Sequence, residues 1–218
     1  MKIVAMQPYF FPYAGYFRLA TVADLFIVLD NVQFTRRSWI TRNRFQKVAG
    51  DLDWLTLPVL GTSRDSTLIK DVLFSEEASW VEKVRKFAIF EKINEVEDLF
   101  PNFLNIHLSL LEYLSETIAG TCKLLEIDIK FLHASEILEK KELSGQDYIL
   151  KLCKTVGATE YINLSGGKNL YQSKVFENAG INLRFLNEYI GSNANILERI
   201  LNEKCKDLKQ EILFNSIF

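Results

Sequence analysis

Histidine is nearly absent from this 218-residue chain: there are two, His107 and His133. Two imidazoles make a His-ligated metal centre improbable and leave no Ser-His-Asp or Cys-His arrangement to assemble, so no metal site is expected. Cysteine is scarce too. Cys122, Cys153 and Cys205 are an odd number, widely spaced and without a CxxC pair, which points to reduced, buried thiols in a reducing compartment. Neither sign of charge dominates, since 26 basic against 28 acidic residues give −2. No global field favours nucleic acid, none is expected as a partner, and any anion site must be local. There is no uncharged apolar run of about 18 residues and no long apolar leader behind MKIVAMQP, so no membrane span and a cytoplasmic location are expected. Repeats and low-complexity linkers are missing as well. What is abundant is apolar and aromatic: 48% hydrophobic, with 16 Phe, 8 Tyr and 3 Trp, which excludes disorder.

The length suits one α/β domain over 1–218 with a helical insert over about 75–126. Lys2–Met6 reads as a buried strand, stopped by Gln7-Pro8. Pro8 and Pro12 hold the next segment extended until a helix over about Gly15–Ala23. Leu25–Leu29 is a second unpatterned apolar strand. This alternation predicts a Rossmann-like parallel sheet with helices on both faces. Asn31–Lys47 reads as a basic loop or short helix, and Trp54–Leu60, Ile69–Phe74 and Ile127–Leu132 as strands. Helices are predicted over Glu76–Ile93, capped by Ser75 with Glu76 and Glu77 in the first turn, and over Asn102–Leu125, with Leu104, Leu108, Leu111, Leu114 and Ile118 on one face. Another starts at Ser144 and closes on Gly157. Glu160–Leu164 and Ile181–Leu186 are strands, Tyr171–Asn178 a helix closed by Gly180, and Asn195–Leu213 one amphipathic helix.

Three segments carry chemistry. Gln7–Phe17 (QPYFFPYAGYF) follows the first strand, where open α/β sheets bind ligands. Gln7, Tyr9, Tyr13 and Tyr16 offer polar tips on a rigid platform, and Gly15 would let a ligand approach backbone N–H groups; the alternative is aromatic packing over the sheet edge. Asp30–Arg44 follows the second strand. Arg36, Arg37, Arg42 and Arg44 fall within nine residues, interleaved with Trp39 and Asn43, and suit phosphate or carboxylate; the alternative is a solvated loop. Asp30 is open to three roles: pairing with an arginine, binding a cation, or accepting a proton. In the third segment, Ser165-Gly166-Gly167-Lys168 follows a strand and either binds phosphate through amides and one cation or is only a tight turn; its spacing is not that of a P-loop. His107 reads as surface or packing, His133 as a residue near the same sheet edge, and Glu139–Glu142 as a solvated loop.

The opening of the chain resembles the WbqC-like family. It carries the pattern Q-P-x-x-F-P-x-x-G-Y-F, then D-x-V-Q-F, R-x-W and R-N-R, over about the first fifth of the sequence, with NLSGGKNLY later. The resemblance implies a place in bacterial O-antigen or surface-polysaccharide biosynthesis: an acyl or aminoacyl transferase, glycine being one suggested donor, or an ATP-dependent amide ligase. Its small-molecule partner would be an amino-sugar or nucleotide-sugar. Gln7, Tyr9, Tyr13 and Tyr16 would shape the acceptor pocket, Gln33 would lie in the turn beside it, the arginines would hold a diphosphate, and Asp30 would take the amine proton.

A second resemblance is to the nucleotidylyltransferase and pantothenate-synthetase layout. Tyr13-Ala14-Gly15-Tyr16 then stands where those enzymes carry an H-x-G-H phosphate-binding tetrad, and Ser165, Gly166 and Lys168 where they carry a second phosphate loop. It implies ATP and Mg²⁺ as cofactors. Tyrosine departs from that tetrad, because a phenol with a pKa of about 10 donates a hydrogen bond but brings no positive charge. The competing reading is a non-catalytic nucleotide- or sugar-binding protein on a degenerate fold of that kind.

Overall fold

A computed structural model describes residues 1–60, 67–75, 78–106, 109–139, 143 and 145–218. The chain opens with β1 (Lys2–Met6), α1 (Ala14–Val22) and β2 (Leu25–Val28). A hairpin follows, β3 (Arg42–Gln46) and β4 (Leu52–Thr56), and then a 3₁₀ turn, Ile69–Asp71. Next come α2 (Ala78–Val84), a 3₁₀ segment Ala88–Lys92, α3 (Ile93–Leu99) and α4 (Leu110–Leu124). The remainder is β5 (Lys130–His133), α5 (Ala134–Ile137), α6 (Gly145–Thr155), β6 (Glu160–Leu164), a 3₁₀ helix Ser165–Leu170, α7 (Ser173–Asn178), β7 (Asn182–Leu186), α8 (Ile196–Asn202) and α9 (Cys205–Phe214).

Five strands form a wholly parallel sheet in the order β5-β2-β1-β6-β7. The chain builds outward from β1 in one direction and then in the other, so the order reverses between β1 and β6. Both faces are covered, as the unpatterned strands predict. Ile3, Ala5, Leu25, Ile27 and Tyr161 pack with Tyr148, Leu152 and Phe176 of α6 and α7. Val4, Phe26, Val28 and Ile162 pack on the other face with α1, α4, α8 and α9. This is an α/β Rossmann-like architecture. The helices of the expected insert, with Trp80, Val96 and Tyr113, share that second core with the sheet. Cys122 and Cys153 are buried and Cys205 half-buried, all as free thiols.

Several expectations are corrected. Residues 42–46 are a strand rather than loop or helix: Asn43 and Phe45 point inward while Arg44 and Gln46 face out, a period of two hidden by the polar residue at an inward position. Ile69–Phe74 is no strand; only the single bridges Gln33–Leu68 and Val59–Phe74 flank the 3₁₀ turn. The helix expected over Glu76–Ile93 is α2 followed by a 3₁₀ segment, and its Glu76-Glu77 first turn lies outside the described residues. The helix expected from Asn102 starts at Leu110, because Ser109 and Glu112 form a reciprocal capping box there. Leu104 therefore precedes it, and His107 and Leu108 fall outside the described residues, as do residues 140–142 and Ser144.

The single C-terminal helix is two. A break at Glu203-Lys204 folds α9 back so that Arg199, already paired with Glu203 four residues on at 2.6 Å, also meets Glu211 at 2.7 Å. Twelve residues of unbroken helix would separate the latter pair by about 18 Å.

Candidate functional site

Parallel strands deliver Gln7, Asp30 and Ser165, the residues that follow β1, β2 and β6, to one edge of the sheet. The aromatic segment after β1 is fastened by its inward members. Phe10 and Phe11 are buried, with their rings against Phe45, Trp80, Phe100 and Phe103. Phe11 has φ 41°, a left-handed conformation unfavourable for an aromatic residue. Asn43 holds it there: its Nδ2 donates to the carbonyls of Phe10 (3.1 Å) and Phe11 (2.7 Å), and its Oδ1 accepts from the Arg44 amide at 2.8 Å. The Phe10 amide donates to Trp39 O (2.9 Å), and the Tyr16 hydroxyl donates to Gln7 O (2.9 Å). The first two sequence segments thus form one unit.

The C-terminal segment adds a third side. Asn195 bridges Tyr13, its Nδ2 donates to Arg44 O at 2.8 Å, and the Ile196 amide donates to Pro12 O at 3.1 Å. The three together enclose a cleft of about 320 Å³ lined by Tyr9, Pro12, Tyr13, Trp39, Asn43 and Asn193. Its walls are aromatic and its polar groups are two amides and two phenols. Among the described residues the hydroxyls of Tyr9 and Tyr13 meet no hydrogen-bond partner. Burial raises both pKa values above that of an ordinary tyrosine, so these groups are neutral donors, not bases.

Beside the cleft lies a ladder of rings and guanidiniums. Trp39 packs against Trp54 with ring centres 5.2 Å apart. Arg42 and Arg44, on the outer face of β3, both lie against the Trp54 ring, at 4.1 and 5.2 Å. Arg36 and Arg37 sit on the exposed turn before Ser38. Among the described residues none of the four arginines forms an ion pair.

Other candidates have different duties. Asp30 is wholly buried, and its carboxylate accepts from the Ser135 amide at 2.9 Å and hydroxyl at 2.5 Å, so it anchors the start of α5 and does not face the cleft. Tyr16 is buried, its pKa well above the usual value through desolvation, and its hydroxyl is engaged by Gln7 O. Gly15 is glycine because a Cβ there would overlap the Tyr13 ring and stand 2.9 Å from Tyr189 Cγ; rings, not a ligand, cover it. Gln33 is exposed and bridges Leu68. Ser165, Gly166 and Lys168 lie on the same sheet edge but outside the cleft lining. His133 meets Ser115 Oγ at 3.0 Å through Nε2. With the Tyr13 and Tyr189 rings in place the start of α1 is closed to a phosphate, its glycine being covered and the Tyr16 hydroxyl engaged. Sequence reasoning missed Asn193; the Asn195 N-cap after Ser192-Asn193 was the available signal for a shaped loop there.

A model of the WbqC-like protein family matches residues 7–192, from the start of the aromatic segment to the cleft's third side. The chain belongs to the WbqC-like family. It is also similar to the uncharacterized protein Rv1507c of Mycobacterium tuberculosis (strain ATCC 25618 / H37Rv), with 27% identity over 188 residues, covering 83% of this chain and 79% of that protein. No solved structure gives a significant match. Among the described residues no helix is long and apolar enough to cross a membrane.

Proposed function

We propose that this WbqC-like protein acts in bacterial surface-polysaccharide biosynthesis by binding a nucleotide-linked amino-sugar in the aromatic cleft and transferring an acyl or aminoacyl group to its amine. The observation that carries this reading is the cleft itself. Flat aromatic walls at Tyr9, Tyr13 and Trp39 suit the apolar face of a sugar ring, and the Asn193 amide suits its hydroxyls. The unpaired Arg42 and Arg44, one indole away, suit the diphosphate. Tyr13 and Tyr16 stand without the positive charges of an H-x-G-H tetrad, so the acyl donor in this reading is one already activated. The sugar amine attacks its carbonyl carbon, the neutral Tyr13 hydroxyl donates to the carbonyl oxygen, the leaving group departs with the bonding pair, and the amine proton passes to solvent.

Calorimetric titration with UDP- and dTDP-amino sugars tests the binding half. Affinity is expected for the nucleotide-sugar, with at least about a tenfold loss in Trp39→Ala. Equal affinity of wild type and W39A would sink the cleft assignment.

A second reading, binding without catalysis, is favoured by Asp30, whose engaged carboxylate leaves the cleft without an anionic base. Product formation from acyl thioester and amino-sugar nucleotide, lost in Tyr13→Phe, separates the two.

A further inference from the structure

Arg18 lies on α1 behind the cleft and is 1% exposed. A guanidinium carries five N–H donors and keeps its charge in proteins. Here one bond is made, from Nη2 to Asn187 O at 2.8 Å, and the buried Nε has no partner. No carboxylate pairs with it among the described residues. Its other neighbours include the Tyr189 ring, 5.8 Å away, and Tyr13. Burial lowers its pKa, while Tyr13 and Tyr189 oppose the shift.

A helical side chain leans toward its own N-terminus, so Arg18 points at the first turn of α1. That nine-residue helix starts at Tyr13 with no side-chain cap and no acidic residue in its first turn. The same two rings cover both features: Tyr189 lies over Gly15 and Arg18, and it meets Tyr13, a wall of the cleft, edge-on at 5.4 Å. Tyr189 follows Asn187 at the carboxyl end of β7, and Asn193 of the same segment lines the cleft. A buried cation without a counter-ion, beside an uncapped helix start and one ring from a cleft, is poorly accounted for by the protein alone.

We propose that Arg18 and the first turn of α1 form an oxyanion subsite behind Tyr13, filled when the Tyr189 ring swings aside. The ligand group is a phosphate or a carboxylate, two chemistries one guanidinium fork accepts alike. The proposal rests on the cleft being a ligand site, and assigns it a second, deeper anchor than Arg42 and Arg44.

Thermal melts of wild type and Arg18→Met, with sodium phosphate, sodium acetate or chloride at matched ionic strength, test it. Methionine fills similar space and forfeits one hydrogen bond while removing an uncompensated charge. R18M is therefore expected to melt at or above wild type in chloride, and to lose an anion-dependent rise of about 3 °C that wild type displays. Arg18→Lys keeps the charge without the fork and is expected to retain part of that rise. A rise with phosphate assigns the subsite to the nucleotide-sugar's diphosphate; a rise with acetate alone assigns it to a carboxylate carried by the ligand. The proposal is overturned if R18M melts well below wild type or does not fold, if neither anion shifts wild type, or if the shift survives in R18M. Failure of nucleotide-sugars to bind, with the phosphate shift intact in wild type and lost in R18M, removes the cleft reading but not the subsite.

Discussion

Asn43→Ala isolates the contact that joins the two signature segments. The side chain is buried, and its Nδ2 is the donor to two neighbouring carbonyls, Phe10 O and Phe11 O, at 3.1 and 2.7 Å. Alanine leaves both acceptors buried without that partner, at about 1–3 kcal/mol each, with a smaller loss at the Arg44 amide. It also releases Phe11, whose φ of 41° needs an external restraint. Local relaxation offsets part of this, so we expect a net loss of about 3 kcal/mol. For a chain of this length that corresponds to a fall of roughly 6–12 °C in Tm, read by calorimetry or circular dichroism. Asn43→Asp discriminates further, because a carboxylate has no proton to donate and would face two carbonyls. It should cost at least as much despite its near-identical shape. Both variants should weaken ligand binding, since the strained loop carries Tyr9 and Tyr13 into the cleft. An N43A protein melting within about 2 °C of wild type, with ligand affinity unchanged, would refute the claim that Asn43 holds the loop.

Gly15→Ala places a methyl group against the Tyr13 and Tyr189 rings, so ligand affinity and Tm should fall together in a titration and a melt; a silent substitution would mean the rings move freely. Glu211 accepts from Arg199 at 2.8 and 2.7 Å and from Tyr189, and the Arg199 guanidinium holds its pKa below the usual carboxylate value. A depressed carboxylate stabilises the fold above its unfolded pKa, and that contribution disappears as pH falls through the folded value. Glu211→Gln should therefore be less stable than wild type at pH 7, by about 2 kcal/mol, with the difference closing below about pH 4 in urea melts. Burial pushes the thiols of Cys122 and Cys153 up to about 12 while Cys205 is half-buried, so an aromatic disulfide reagent at pH 8 should titrate one thiol in the native chain and all three after unfolding.

The sheet was legible in the sequence because its strands are buried on both sides. KIVAM and EYINL coincide with β1 and β6 residue for residue, and apolar runs between turn residues admit few other readings. The hairpin was not legible, because its period-two signal runs through Asn43, a polar residue facing inward to bond carbonyls that only the folded loop brings near. The split between α8 and α9 was hidden for a similar reason: its cause is a pairing between Arg199 and Glu211, twelve residues apart, and the apolar spacing on either side continues across it. That an aromatic cleft would lie beyond the strand ends was legible from the strand pattern and the aromatic content. Its third wall, at Asn193, was not, since nothing local ties residues 189–195 to Pro12 and Arg44.

Residue type alone also failed to separate scaffold from ligand-facing groups, and hydrogen-bond occupancy explains why. Tyr13 and Tyr16 are the same side chain three positions apart on the same helix start, yet the Tyr16 hydroxyl is engaged by Gln7 O while Tyr13 lines the cleft and its hydroxyl meets no hydrogen-bond partner among the described residues. Asp30 looks like a base by type, but two donors from Ser135 already meet its carboxylate. Buried polar groups in folded proteins are almost always partnered, so a partnered one is accounted for by the fold. Among the described residues, the groups left without a hydrogen-bond or ion-pair partner include the Tyr9 and Tyr13 hydroxyls, Nε of Arg18 and Nε of Arg42, with Arg42 and Arg44 forming no ion pair. Tyr9 and Tyr13 line one cleft, Arg42 and Arg44 lie against the Trp54 ring that packs on its Trp39 wall, and Arg18 lies one ring behind Tyr13, although they come from a loop, a strand and a helix. Nothing in the packing of those three elements requires that coincidence, whereas the ligand proposed for the cleft would account for it.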